Sequence, residues 1–373
     1  ERVNVRRVAA LLEKRARSPW SVFRLEYHNP AMLRDLEHIL DTQPPDIVHV
    51  QHLRYMPVAL LSRIAARGIP VVMTLHDYWA ICPNAQRVRP GGTICERSPA
   101  RLACGLCAVE RMGVPALRWA APLFAPAFLE RDATIRHALN HVRRLITPSA
   151  FLRDRLVANG LPGERTVVLE NGLDLARIAT ARATPRGALR GHYAYIGSLA
   201  WQKGVDVLIR AFGDLAPHGA HLRVWGSPLA FPDYARRLAD LAAGCPNVTL
   251  EGEADAAAVD AALAWADYLV VPSVWWENSP VTIQEAYAAG VPVIASRIGA
   301  LEEKVQDGVS GLLFAPGDVA DLTRVLRRTI AEPDLLPRLR TGIPPVVPIA
   351  EHAARIETLY AEVIAEAQAR GPR

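Results

Sequence analysis

The stretch Trp275-Trp276-Glu277-Asn278-Ser279-Pro280-Val281-Thr282-Ile283-Gln284-Glu285-Ala286 decides how the chain is read. Before it, Asp267-Tyr268-Leu269-Val270-Val271-Pro272-Ser273 has the apolar run of a buried strand. After it, Ala289-Gly290-Val291-Pro292 stops a helix, and Val293-Ile294-Ala295-Ser296 begins another strand. Strand, loop, helix and strand in that order are the unit of parallel α/β sheets. Ser279 suits a helix cap. Pro280 suits the first helical position, because proline lacks the amide that would be orphaned there. The free amides of Val281 and Thr282 then leave a helix start with positive partial charge, a seat for a diphosphate. Glu277 and Asn278 lie just before that seat, within reach of a group attached to the anion. Glu285 can accept two hydrogen bonds from a ribose diol. Either acid alone reads more simply as a solvated side chain. The segment as a whole does not.

The same alternation runs outward in both directions. Asp46 to Val50, Pro70 to Leu75, Leu145 to Thr147 and Thr166 to Leu169 read as strands of a first sheet. Helices are expected at Pro57 to Ala66 and at Ala150 to Ala158. Tyr193 to Ile196, Leu222 to Trp225, Val248 to Leu250, Tyr268 to Val271, Val293 to Ala295 and Leu312 to Phe314 read as a second sheet. Its helices are Val205 to Phe212, Asp233 to Ala243, Ala256 to Ala264, Pro280 to Ala289 and Val319 to Ile330. Residues 173 to 190 are charged and alanine-rich and read as a connection. Glu351 to Ala369 reads as a long amphipathic helix. Val114 to Phe128 is apolar and broken by prolines; domain core is the reading preferred there over a lipid-facing surface. Residues 1 to 20 read as an arginine-rich helical stretch.

Several segments together resemble the retaining glycosyltransferases of the GT-B fold, glycosyltransferase family 4 in particular. Glu277 and Glu285 match the E-x7-E signature. Tyr195-Ile196-Gly197-Ser198-Leu199 followed by Lys203-Gly204-Val205-Asp206 is similar to G-R-L-x-x-x-K-G-x-D. Leu169-Glu170-Asn171-Gly172-Leu173-Asp174 is similar to P-N-G-V-D, and Val293 to Leu313 carries the later glycine-rich and D-G-x-x-G-L-L segments. The resemblance covers nearly all of residues 46 to 330. It implies an α/β, GT-B architecture: two Rossmann-like parallel-sheet domains facing across a cleft. The expected domains are an acceptor-side domain over 1–172, a nucleotide-sugar-binding domain over 173–345, and a helix over 346–373 packing back on the first. Relatives begin with a strand and a glycine-rich loop. Nothing similar precedes residue 46, so the first domain is expected to be incomplete, its N-terminal strands missing.

The resemblance also implies the site. Gly197, Ser198, Lys203, Asn278, Ser279, Pro280, Val281 and Glu285 would hold the nucleotide diphosphate. Ser198 stands where the family usually has an arginine. Ligands of open α/β sheets bind at the carboxyl ends of strands, and His76 ends one strand of the first domain. There the family's matching histidine contacts the donor sugar, so His76 and Glu277 are the expected catalytic pair. The implied activity is retaining transfer from a UDP- or GDP-sugar to a glycan or lipid-linked acceptor, in cell-surface polysaccharide or glycolipid synthesis. The alternatives are a non-catalytic nucleotide-sugar-binding or scaffold protein, and another GT-B enzyme such as an epimerase.

Composition sets wider bounds. The 373 residues suit one or two domains of roughly 100–200 residues each. No apolar run is long enough to cross a bilayer, and no signal-peptide pattern opens the chain, so a cytoplasmic protein is expected, with contact to the inner membrane face as a variant. The net charge of +5 fits an anionic substrate or an anionic membrane face equally. No nucleic-acid partner is expected. No D-x-D, P-loop, G-x-G-x-x-G or H-E-x-x-H motif occurs, so no cofactor or divalent ion is expected in the reaction. Cys82, Cys95, Cys104 and Cys107 cluster in sequence with one C-x-x-C pair. They are candidates for a structural zinc, against the simpler state of free thiols.

Overall fold

A computed structural model describes residues 29–54, 56–96, 101–213 and 215–370 of the chain. The arginine-rich start expected over residues 1 to 20 lies outside them. The chain divides into two compact units, each assembled from separated stretches. The first takes residues up to Thr147, then Leu152–Val168, then Ile356 onward; the second takes Pro148–Phe151 and Leu169–Arg355.

The first unit holds a four-stranded sheet ordered β1-β2-β3-β4, all parallel: Val48–Val50, Val71–Thr74, Arg144–Thr147 and Thr166–Val168. Every residue of β2 is buried, as expected of a continuous apolar run in a central parallel strand. The C-terminal helix Ile349–Arg370 contributes Tyr360, whose hydroxyl meets His49 Nδ1 at 2.5 Å, and Glu366, which pairs with Arg144. Between β2 and β3 lie the helix Leu102–Arg111, a 3-10 stretch Pro115–Phe124 and the helix Ala125–Leu139. The core expected over Val114 to Phe128 is not there. Phe128, Ala121 and Ala125 are buried, but Trp119 and Leu123 stand in solvent.

The second unit has six parallel strands: β5 (His192–Ile196), β6 (His221–Trp225), β7 (Val248–Gly252), β8 (Tyr268–Val271), β9 (Val293–Ser296) and β10 (Gly311–Phe314). Their order is β10-β9-β8-β5-β6-β7. Two cores follow from the two-residue period of a strand. Tyr193, Tyr195, Tyr268 and Val270 face one layer of helices, while Ala194, Ile196, Leu269 and Val271 face the other. Counted from β5, the order is the doubly wound one, and it reverses between β5 and β8. That reversal is where open α/β sheets bind ligands.

The connection expected at 173–190 is in fact packed structure of this unit. Ile178 and Ala181 are fully buried, and the amides of Thr180 and Ala181 donate to Asp260 on the helix Ala256–Trp265 at 3.1 and 2.7 Å. An alanine-rich composition hid this, because small side chains bury completely without forming a visible apolar run. Gly172 ahead of it lets the chain pass the C-terminal helix, since a Cβ there would lie 2.5 Å from His352 Cβ and 2.9 Å from Ile349 Cα.

Candidate active site

The loops after β5 and β8 meet at the sheet reversal. After β5 the chain passes Gly197 and Ser198, turns through the 3-10 segment Trp201–Lys203, and enters the helix Val205–Gly213. Gly197 has no room for a side chain that would keep Tyr195 in place: a Cβ would sit 3.0 Å from the Tyr195 hydroxyl, which donates to Ser198 O at 2.8 Å. Ser198 is exposed. Gly204 is left-handed, with φ +67°, and a Cβ on it would come within 2.1 Å of Pro272 O. Only glycine allows that approach. It brings the β5 loop onto the β8 loop, where Val274 N donates to Gln202 O at 2.9 Å.

Three donors converge on one carboxylate oxygen. Lys203 Nζ, Ser273 Oγ and Trp275 Nε1 reach Glu277 Oε1 at 2.7, 2.6 and 2.9 Å. Lys203 also lies 5.7 Å from the centroid of the Trp275 ring, a cation–π distance. Glu277 is buried and Lys203 partly so. The sequence reading paired the lysine with a diphosphate and the acid with a sugar. The structure pairs them with each other first, so any anion bound by Lys203 is bound by a lysine already steadied by Glu277. No hydrogen bond among the described residues uses Glu277 Oε2.

The helix after this loop is Val281–Ala288. It starts one residue later than expected. Pro280 is the cap, with an extended backbone at ψ 115°, and no side chain caps the helix. Ser279 is therefore not the cap. The reason lies upstream: Asn278 O is taken by Ser149 Oγ at 2.6 Å and Glu277 is clamped, so the chain stays extended through Pro280. Ser279 Oγ and Asn278 Oδ1 are both buried atoms without a partner among the described residues. They adjoin the unpaired amides at the helix start.

Glu285 lies one turn further on. It is buried, and its carboxylate has no hydrogen-bond partner among the described residues. Burial pushes its carboxyl up from the usual range, and Arg177 opposes this. Its neighbour Gln284 instead holds the chain entry to the unit, donating to Asn171 O at 2.7 Å.

His76 belongs to the first unit. It follows β2, and its Nε2 lies 2.9 Å from Gln51 Oε1. Burial of its ring lowers its pKa, His52 lowers it further, and Asp77 opposes them. Asp77 receives the amide of Trp79 at 2.7 Å and lies 3.1 Å from His52 Nε2. Gln51 and His52 were not singled out from the sequence. Both follow β1, the strand beside β2, so the strand-end rule that found His76 could have found them too.

The four cysteines named as zinc candidates are free thiols, each partly buried. Cys82 Sγ donates to Asn84 Oδ1 at 2.8 Å, and Asn84 Nδ2 reaches Cys107 Sγ at 3.8 Å. Burial pushes the Cys104 and Cys107 thiols up, Arg101 and Arg111 oppose this, and the nearby Cys82 and Cys95 add to the rise. Among the described residues no group of three or more His, Cys, Asp or Glu is set to hold a metal ion.

A doubly wound sheet with a lysine, two acids and an open helix start at its reversal is a candidate ligand site of an open α/β fold. The family of glycosyl transferases group 1 matches residues 190–332, and glycosyltransferase family 4 matches residues 4–177. The 2-deoxystreptamine glucosyltransferase of Streptomyces kanamyceticus is 31% identical over 314 residues, covering 80% of this chain and 72% of that one. Glycogen synthase of Mycobacterium tuberculosis is 34% identical over 195 residues, 51% of this chain and 46% of that one, so the chain spans about half of this relative's length. The structure of HepE from Anabaena in complex with UDP and glucose superposes with a TM-score of 0.62 at 18% identity, covering 88% of this chain and 81% of that one. The fold is that of the GT-B glycosyltransferases, and the chain belongs to glycosyltransferase family 4.

Proposed function

We propose that the protein is a retaining glycosyltransferase that needs no metal ion. It would move a sugar from a nucleoside diphosphate, UDP or GDP, to a hydroxyl of a glycan or lipid-linked acceptor in cell-surface polysaccharide or glycolipid synthesis. The observation that carries this reading is the set of unsatisfied groups around one helix start. Ser279 Oγ and Asn278 Oδ1 are buried without hydrogen-bond partners among the described residues, and Glu285, on the helix that follows, is a buried residue whose carboxylate is unpaired; a polar ligand would supply the partners. HepE, whose fold this chain shares, binds UDP, and a UDP donor is the simplest ligand with matching chemistry.

The roles follow from the chemistry of each group. Glu285 accepts the ribose hydroxyls. Lys203, with two ammonium hydrogens beyond its bond to Glu277, meets the diphosphate alongside the amides of Val281 and Thr282. Glu277 Oε2 takes a sugar hydroxyl, with Oε1 fixed by its three donors. His76, neutral at pH 7, serves the sugar as a hydrogen-bonding group without adding charge. The bond from the anomeric carbon to the β-phosphate oxygen breaks, and its electron pair leaves with the nucleotide. The acceptor oxygen bonds to the same face of that carbon, and its proton passes to the departing phosphate. Fixed dipoles and Lys203 stabilise the charge that develops.

Two experiments test this. Thermal unfolding in the presence of UDP-, GDP- and ADP-sugars is expected to show stabilisation by one of the first two, because a ligand that binds only the folded state raises its apparent stability. NMR of the product from the stabilising donor is expected to show retained anomeric configuration. An inverted product refutes the retaining mechanism. Binding without any transfer or hydrolysis favours the non-catalytic alternative.

A further inference from the structure

We propose that Gln51 is a positioning residue for His76. It holds the ring with its hydrogen on Nε2, so that His76 meets the substrate through the lone pair on Nδ1 and accepts from a hydroxyl. A neutral imidazole has one donor nitrogen and one acceptor, and the partner of one decides the role of the other. Here Nε2 meets Gln51 Oε1 at 2.9 Å. An amide oxygen only accepts, so Nε2 is the donor. Nδ1 has no hydrogen-bond partner among the described residues. The two titratable neighbours do not supply one. Asp77 takes the Trp79 amide and lies against His52 Nε2, while His52 Nδ1 accepts from Arg54 N at 2.7 Å.

What orients the amide lies at its other end. Gln51 Nε2 is 3.3 Å from each ring nitrogen of His49. Those nitrogens are anchored in turn, Nε2 to Thr74 Oγ1 at 2.8 Å and Nδ1 to the hydroxyl of Tyr360 on the C-terminal helix at 2.5 Å. A neutral His49 keeps one lone pair, which suits the amide NH2 and repels the amide oxygen. The strands make this arrangement. His49 and Gln51 are two residues apart, as are Thr74 and His76, so each pair shares a face of its extended chain. β1 and β2 are parallel neighbours with Val50 beside Met73, and the same diagonal step sets His49 against Thr74 and Gln51 against His76. Burial and His52 lower the His76 pKa and Asp77 opposes them, so the neutral ring, the form that has tautomers, is the one present at pH 7. That the hydroxyl is a sugar's rests on the function proposed above; the tautomer does not.

The test is long-range proton–nitrogen NMR of the histidine rings in the whole chain at about pH 8, where the ring is neutral, with His76→Asn identifying the signal. The native chain is expected to show His76 with hydrogen on Nε2 and none on Nδ1. Gln51→Leu should mix the two tautomers. Gln51→Glu keeps an acceptor in place and adds negative charge, so the tautomer should stay and the ring should titrate about one pH unit higher or more. A hydrogen on Nδ1 in the native chain overturns the proposal, as do ring signals that Gln51→Leu leaves unchanged. So does a Gln51→Glu ring that titrates where the native one does, a readout that serves where Gln51→Leu folds poorly. In sugar transfer, Gln51→Leu is expected to lower kcat about tenfold, as for one hydrogen bond lost at the reacting sugar, with UDP affinity kept. An unchanged kcat overturns the role of the lone pair. The ring signals need no donor, so a native chain that shows them and transfers no sugar counts against the function proposed above while the tautomer stands.

Discussion

Glu285 couples a cost to a use. Its carboxyl is pushed up by burial, while in the unfolded chain it titrates in the ordinary range. Between those two pKa values folding takes up a proton, so stability falls as pH rises through that window and stays lower above it. Glu285→Gln is therefore expected to raise the melting temperature of the ligand-free protein at neutral pH. Glu285→Ala is expected to weaken nucleotide binding by roughly 1.5–3 kcal/mol, by loss of charge-assisted hydrogen bonds. Calorimetry on both variants checks the pair, and unchanged nucleotide affinity removes Glu285 from the site. His76 gives a sign in pH. Its pKa is lowered, so the neutral ring persists below the ordinary imidazole value. The rate should stay level as pH drops from 8 to about 6.5 and fall only below that. The pH–rate profile of His76→Asn, compared with the native chain, should lack the part of the acid limb due to this ring.

Among the local elements, the Gly204 turn holds the two loops together. Gly204→Ala combines a left-handed backbone with a clash on Pro272 O and should cost roughly 1–3 kcal/mol, read as a lower urea midpoint at unchanged slope. Gly219→Ala is the control. It has a similar φ of +71° and open space around it, and should cost less. Tyr360→Phe should cost about 1 kcal/mol by removing the bond to His49. Strands were legible in the sequence because continuous apolar runs bounded by Gly and Pro have few other uses in a parallel sheet. That Lys203 and Glu277 lie in loops beyond strand ends was legible because both follow such runs. The late start of the Val281–Ala288 helix was not, because it depends on Ser149, far away in sequence, holding Asn278 O. Nor were Ser273 and Trp275 as partners of Glu277, since a hydroxyl and an indole carry no periodic signal. The helices within 102–139 were missed because prolines interrupt their pattern and small residues make their contacts.

At the level of the whole chain, neither unit is a continuous stretch. The first is completed only by residues from Ile356 on, where Val363 is fully buried. A protein made from one end to the other on the ribosome must then finish its second-begun unit first. The strands from Val48 to Val168 would emerge early and wait, with part of their apolar surface uncovered, until the final helix follows. Such a waiting intermediate is what chaperones recognise. A released chain ending at Arg355 should leave the second unit protease-resistant and the earlier one still open to cleavage.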